Sequence, residues 1–458
     1  MRTMTTCVAA ATLLLAVSAC SPEESTEGDG SIVFWTPYTT PERIAAQQPV
    51  IDAFTEATGV EVEMVPLEPD QAGQTLVTAA ASGDVPDVIA HNPSSTAAWA
   101  AQGLLDDQAP QAIVDELGAD TFSQAALDMV TIDDRLHAVP SDGWGHTIAY
   151  RTDLFADAGL EPPASVADLA AAAELLDADG MAGIAIGTTP GDVYTQEGLE
   201  SMLLPFGCRL ATDGKVRIDS PECVEGLAHY QRLAAAAGPA QVDVEAARAA
   251  YLSGSAAMVL FSSHIVDEVA GLDVDNPVTC TECGDNPRFL AENTAYLTTF
   301  TGTGAEAPVE YGQTTNYGIP AGANTADATE FVKYMLTDGY VENLASATEG
   351  RIPVRPGPEA GSTEYLDAWS QLPFGNDQAQ EVSIEQVYGP ALVERLAAGA
   401  EEFTRWGWGT PDAELAGIVF SQTILATEAE ALFDGAPPAE VAAAMAASVE
   451  AAQQDLGG

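Results

Sequence analysis

From residue 31 the chain alternates short apolar runs with stretches of helical period. Residues 31–35 read as a buried strand, and Thr40-Pro41 then supplies the cap and first position of a helix. Ile44, Ile51 and Phe54 mark its inner face and Gly59 ends it. Residues 60–65 alternate as a second strand, 71–82 form a helix, Gly83-Asp84 turns, and 86–90 make a third strand. Strands and helices alternating at this spacing predict parallel βαβ units. Ligands of such open sheets sit beyond the carboxyl ends of the strands, here residues 35–39 and 91–95.

Residues 137–175 predict two short strands around a polar, aromatic break at Ser141-Asp142-Gly143-Trp144, then two helices. Thr152-Asp153 starts the first helix and Gly159 stops it; Pro162-Pro163 blocks continuation. Ser165 caps the second, with Val166, Leu169, Ala173 and Leu176 on one stripe. Here the chain is expected to pass from one α/β lobe into another. Beyond it the pattern predicts a strand at 183–188, a helix at 196–205 and an edge strand at 216–218. A helix from Ser220-Pro221 to Gly238 follows, with Val224, Leu227 and Leu233 inward; the C-terminal third is helical and closes with 438–453.

The N-terminus changes the picture. Arg2 and the apolar run from Val8 to Ala19 fall short of the roughly 20 residues a bilayer needs, so they read as a signal peptide. Val17-Ser18-Ala19-Cys20 resembles the cleavage box of bacterial lipoproteins, which implies an acylated Cys20 after removal of residues 1–19. Residues 20–30, rich in Ser, Glu, Gly and Asp, form a tether. About 440 residues remain, enough for two or three lobes.

The net charge of -54, from 69 acidic and 15 basic residues, repels nucleic acid and anionic lipid headgroups, so neither is an expected partner. Cys208, Cys223, Cys280 and Cys283 remain for the mature chain. Outside the cytoplasm an even set points to disulfides with three possible pairings, Cys208–Cys223 and Cys280–Cys283 being favoured. The rival for Cys280-Thr-Glu-Cys283 is a zinc knuckle. No GxSxG, HExxH, phosphate-loop or dinucleotide motif occurs, and five scattered histidines form no metal cluster. No metal, no cofactor and no catalytic residues are expected. Carboxylates are numerous enough that a glycosidase pair stays open on counting alone.

Several ordered motifs carry a family resemblance: Thr58-Gly59-Val60, Gly83-Asp84-Val85-Pro86-Asp87-Val88, Gly103-Leu104-Leu105-Asp106, Tyr150-Arg151-Thr152-Asp153-Leu154-Phe155, Asn316 to Pro320 and Glu349 to Arg355. In this order they resemble the extracellular solute-binding proteins of bacterial ABC importers, specifically the sugar-binding, maltose-type group, over nearly all of the mature chain. The resemblance implies an α/β, two-lobed periplasmic-binding-protein type II fold. Each lobe would be a mainly parallel sheet flanked by helices, hinged by crossover strands. Lobe I would take 31–141 and 266–345, lobe II 142–265 and 346–458. It implies a lipid-anchored, monomeric receptor that binds a sugar or oligosaccharide and delivers it to a membrane permease.

A sugar site needs aromatic plates and polar groups that both accept and donate. Carried over position by position, the resemblance implies ligand contacts from Trp35, Tyr38 and Thr39 in the first-strand loop, and from His91, Asn92 and Ser94 after the third. It adds Asp142 and Trp144 at the first crossing, Tyr194 and Gln196 in lobe II, and Ser263 with His264 after the returning strand. Trp406 and Trp408 would supply further stacking surface. Two family aromatics fall on histidines, which points away from a maltodextrin toward a smaller or different sugar. Arg351 and Arg355 are expected to pair with carboxylates. Alternatives from other classes are a surface carbohydrate-active enzyme, a receptor for a non-sugar solute, and a signalling receptor.

Overall fold

The computed structural model describes residues 30–178, 180–303, 307–377 and 379–456. The expected signal peptide, Cys20 and all but the last residue of the expected tether lie outside the described residues.

β1 (Ser31–Thr36), β2 (Glu61–Pro66) and β3 (Val88–His91) pair in parallel about a central β1. They are joined by α1 (Pro41–Thr58) and α2 (Pro69–Ser82). Thr40 caps α1 by accepting from the Arg43 amide, and Gly59 ends it in the left-handed conformation that glycine alone adopts freely. α3 (Pro93–Ala101) leaves the end of β3; α4 (Ala109–Leu117), α5 (Gln124–Met129) and the hairpin β4 (Thr131–Ile132) to β5 (Arg135–Leu136) follow.

β6 (Val139–Arg151) organises the rest. The expected break at Ser141 to Trp144 does not occur: the strand runs unbroken through thirteen residues. Its first part pairs antiparallel with β12 (Val309–Gly318) and with β13 (Ile352–Pro353). Its last part pairs antiparallel with β9 (Met258–Ser262) and β10 (Thr294–Leu297). β11 (Thr299–Phe300) and β14 (Phe403–Thr404) flank the start of β12, one on each side of Glu310. β6 and β12 thus run through both halves of a ten-stranded sheet.

The glycines of β6 and β12 have a steric role. A Cβ at Gly143, Gly145 or Gly312 would lie 2.7, 3.0 or 2.2 Å from the Phe403 ring. These glycines are the seat of one buried phenylalanine, and glycine in a strand marks such close approach.

The second half holds α6 (Thr152–Ala158), α7 (Val166–Leu176), α8 (Val193–Leu203), α9 (Pro221–Ala236), α10 (Val244–Leu252) and α11 (Ile265–Val269). Ser165 and Ser220 cap α7 and α9. Two expected strands are reduced. Residues 183–188 touch β9 and its approach only through the parallel bridges Ala182–Ala256 and Ala185–Val259. Gly183 passes so close under α7 that a Cβ would meet the Ala173 carbonyl at 1.8 Å. The 216–218 edge is a two-residue hairpin, β7 (Ala211–Thr212) to β8 (Lys215–Val216), turned by Asp213 and Gly214 at positive φ. Strand pairs made with β6 in this half are antiparallel, where a mainly parallel sheet was expected.

One buried core lies around β1–β3, α1 and α4; a second lies between α7, α8, α9 and the closing helix Pro438–Leu456. The helix Ala413–Ser421 packs on both α3 and the closing helix. The helix Pro390–Glu401 lies against β6, β12, β13 and α5. Disulfides join Cys208 to Cys223 and Cys280 to Cys283. Among the described residues no helix is long and apolar enough to cross a membrane.

Candidate functional site

The carboxyl ends of β1, β2 and β3 open onto a cavity of about 130 Å³. Trp35, His91, Trp99 and Trp144 supply its aromatic wall; Asn92, Ser95, Gln313 and Thr315 supply polar groups. A second cavity of about 320 Å³ lies on the other side of Trp144, lined by His146, Asp192, Tyr194, Glu197, Phe261, Ser262 and His264 among others. Trp144 belongs to both walls, so one half-buried indole divides a two-chambered cleft.

In the first chamber, His91 Nδ1 bonds the Asn92 carbonyl at 3.0 Å and the ring meets Trp99 edge-on at 4.8 Å. Its Nε2 is buried without a partner. Burial pushes its pKa down to about 4, the bond to Asn92 only partly opposing, so the ring is neutral at pH 7. Gly318 makes room for it: a Cβ there would lie 2.6 Å from Nε2.

Gln313 stands opposite Trp144 in the β6–β12 ladder. Arg405 donates to its Oε1 at 2.6 Å. Arginine has no acceptor, so the amide must turn its oxygen toward Arg405, and its NH₂ is left without a protein partner. Arg405 is itself fixed by a two-pronged pair with Glu200, at 3.0 and 2.9 Å, and by the Tyr311 and Phe420 rings.

In the second chamber, Trp144 approaches His146 at 5.8 Å and His264 at 6.4 Å, centroid to centroid. His146 Nε2 lies 3.7 Å from a Glu197 oxygen. The Tyr194 hydroxyl is spent on the Leu260 carbonyl, and burial raises its pKa. His264 presses on Gly350, where a Cβ would sit 1.8 Å away, and burial lowers its pKa to about 4.

Of the residues expected from the sequence, the cleft brings together Trp35, His91, Asn92 and Trp144 in the first chamber and Trp144, Tyr194 and His264 in the second. Asn92 doubles as the α3 cap, accepting from the Ser95 amide at 3.0 Å. The others lie off these walls. Ser94 is buried against Asn92. Tyr38 lies beneath the Arg351 guanidinium at 5.5 Å, and Thr39 is half-buried beside it in sequence. Asp142 is fully buried and pairs with Arg351 at 2.8 Å. Gln196 accepts from the Ala426 amide. The Ser263 amide donates to the Gly145 carbonyl. Trp406 is core, donating to the Cys208 carbonyl, and Trp408 packs near Arg405. Arg355 departs from expectation: it donates to the Thr121 hydroxyl and to carbonyls of Leu336, Leu117 and Pro358, not to a carboxylate.

Sequence reasoning missed Trp99, His146, Glu197 and Gln313. His146 follows Trp144 by two, the strand period, and Glu197 follows Tyr194 by three, a helix-face spacing, so both carried a usable signal. Gln313 becomes visible only through the register of β12.

A family model described as bacterial extracellular solute-binding protein matches residues 50–373. The putative ABC transporter periplasmic-binding protein YcjN of Escherichia coli (strain K12) is 26% identical over 422 residues, 89% of this chain and 91% of that protein. Among solved structures, the GacH receptor of Streptomyces glaucescens GLA.O superposes with a TM-score of 0.69 at 19% identity, covering 94% of this chain and 100% of that one. The maltose-bound MalE3 of T. maritima gives 0.67 at 18% identity, covering 92% and 99%. These two likenesses identify the fold as the two-lobed type II periplasmic-binding-protein fold. With the family model spanning most of its length and a cleft placed at the strand crossing, the chain belongs to the bacterial extracellular solute-binding protein family.

Proposed function

We propose that the protein is the solute receptor of an ABC importer, binding a sugar or oligosaccharide in the cleft around Trp144 and delivering it to a membrane permease. Acylated Cys20 anchors it to the outer face of the cell membrane, and it works as a monomer. Lobe I comprises 31–141 and 266–345, lobe II 142–265 and 346–458. The lobes rotate about β6 and β12, enclosing ligand as hinge-closing receptors do. Capture and release need no covalent step and no cofactor.

The observation that carries this reading is the single indole of Trp144 shared by two chambers lined with aromatics and polar groups. Aromatic plates meet the apolar C–H faces of a sugar ring, and the free Gln313 amide can donate to a hydroxyl. Neighbours of the same fold support the ligand class: their structures hold acarbose, maltose, α-D-tagatose and D-mannitol.

The test is a thermal-shift screen of mono- and oligosaccharides, followed by titration. A true ligand at a hundred times its Kd stabilises by about 2.7 kcal/mol. Trp144→Ala is expected to weaken that ligand at least tenfold. Stabilisation by peptides or metal ions, with none from any saccharide, overturns the proposed ligand class.

A further inference from the structure

The second chamber has a chemical bias that the first lacks. Its charged wall residues are Asp192 and Glu197, and among the described residues no lysine or arginine lines it. The cations close by are already matched. Arg248, over the Phe261 ring at 5.4 Å, pairs with Glu268 and Glu245. Arg405 pairs with Glu200.

One hydroxyl donor on this wall is spent elsewhere. The Tyr194 hydroxyl is committed to the Leu260 carbonyl. Ser262 Oγ lies 3.4 Å from His264 Nδ1. Acceptors stay open. Glu197 has only the distant 3.7 Å contact with His146 Nε2. His146 is 1 % exposed, sits on the chamber wall, and its Nδ1 has no partner. A half-buried carboxylate beside a ring nitrogen without a partner, with no cation on the wall, is a poor host for an anion and a good one for an ammonium group. A charge-assisted N–H to carboxylate bond is about twice as strong as a neutral one.

Resting on the sugar-receptor reading, we infer that the second chamber takes an amine-bearing sugar unit, its protonated nitrogen held by Glu197. The uronate counterpart is rejected by the same carboxylate. The net charge of -54 favours the same ligands at longer range, drawing cations toward the protein.

The experiment is calorimetric titration at pH 7 with a panel of mono- and disaccharides in matched neutral, amino and uronate forms, glucose, glucosamine and glucuronate among them. The expected result is that amino forms bind about tenfold tighter than their neutral counterparts and uronates give no heat. In Glu197→Gln the amino-to-neutral ratio is expected to collapse to about one. Equal or weaker binding of amino forms in the parent protein overturns the inference while leaving the sugar receptor intact. Should Glu197→Gln fail to fold, the parent ratio decides alone. No binding by any member of the panel overturns both readings.

Discussion

Gly312→Ala tests how the hinge strands are built. Gly312 faces Gly145 across the β6–β12 ladder, and Phe403 is seated on both. A Cβ at position 312 would lie 2.2 Å from Phe403 Cδ1 and 2.5 Å from Cε1. Carbon atoms pack at about 3.5–4.0 Å, so the ring must retreat by more than about 1 Å. It has little room, because Gly143 holds its other edge and the side chain is buried. Overpacking of this kind costs about 1–3 kcal/mol. In a lobe of roughly 150–250 residues that lowers the melting temperature by about 2–4 °C per kcal/mol. Phe403→Ala removes the ring and costs about 3–5 kcal/mol as a cavity. In the double variant the new methyl enters vacated space, so the two losses should fall short of their sum by at least about 1 kcal/mol. Urea unfolding and thermal melts of the four proteins measure the cycle. Strict additivity, or a Gly312→Ala protein as stable as its parent, would refute the seat.

Three further outcomes are expected. Asp142→Asn leaves the Arg351 guanidinium buried with only neutral acceptors on Asn343 and Ser346, and should cost about 3–5 kcal/mol, read by urea unfolding; an unchanged midpoint would show that the pair carries no stability. His91 and His264 titrate near pH 4 in the folded chain and near 6.5 unfolded, so between these values the unfolded state binds the extra protons and stability falls on acidification. The slope is at most about 1.4 kcal/mol per pH unit for each ring. Glu268, raised to about 7 by burial, acts with the opposite sign, which is why the comparison is made against His264→Gln: that variant should lose less stability between pH 6.5 and 4, and an identical slope would place His264 in water. Opening Cys208–Cys223, which closes a sequence separation of 15, by Cys208→Ser with Cys223→Ser should cost about 3 kcal/mol; a melt unmoved by the pair of changes would count against the bond.

Local chemistry made the helix ends readable. Thr40, Ser165 and Ser220 cap the helices they announce, and Gly59 and Gly159 stop theirs in the left-handed region. Asn92 shows the ambiguity of such signals. It was expected to contact ligand, and it lines the first chamber, yet its side-chain oxygen is occupied by the Ser95 amide and the Ser94 hydroxyl. Asp142 was expected at the ligand because it stands beside Trp144. Strand geometry sends the two side chains to the same face but different neighbours, and Arg351, 209 residues on, claims the carboxylate. No local pattern announces a partner at that separation.

The misread break at Ser141-Asp142-Gly143-Trp144 shows how a strand can divide its labour. Glycine flanking an aromatic suggests a loop when read alone. Read with the two-residue period of a strand, it places small residues on one face and Trp144 and His146 on the other. The glycine face receives Phe403; the opposite face forms the wall shared by both chambers. β12 repeats the arrangement, Gly312 behind and Gln313 in front. A displacement of Phe403 should therefore be felt through one strand thickness at Trp144 and Gln313. On the proposed reading, a change at this seat is expected to alter ligand affinity without touching ligand, whereas Trp144→Ala is expected to alter it by direct loss of contact.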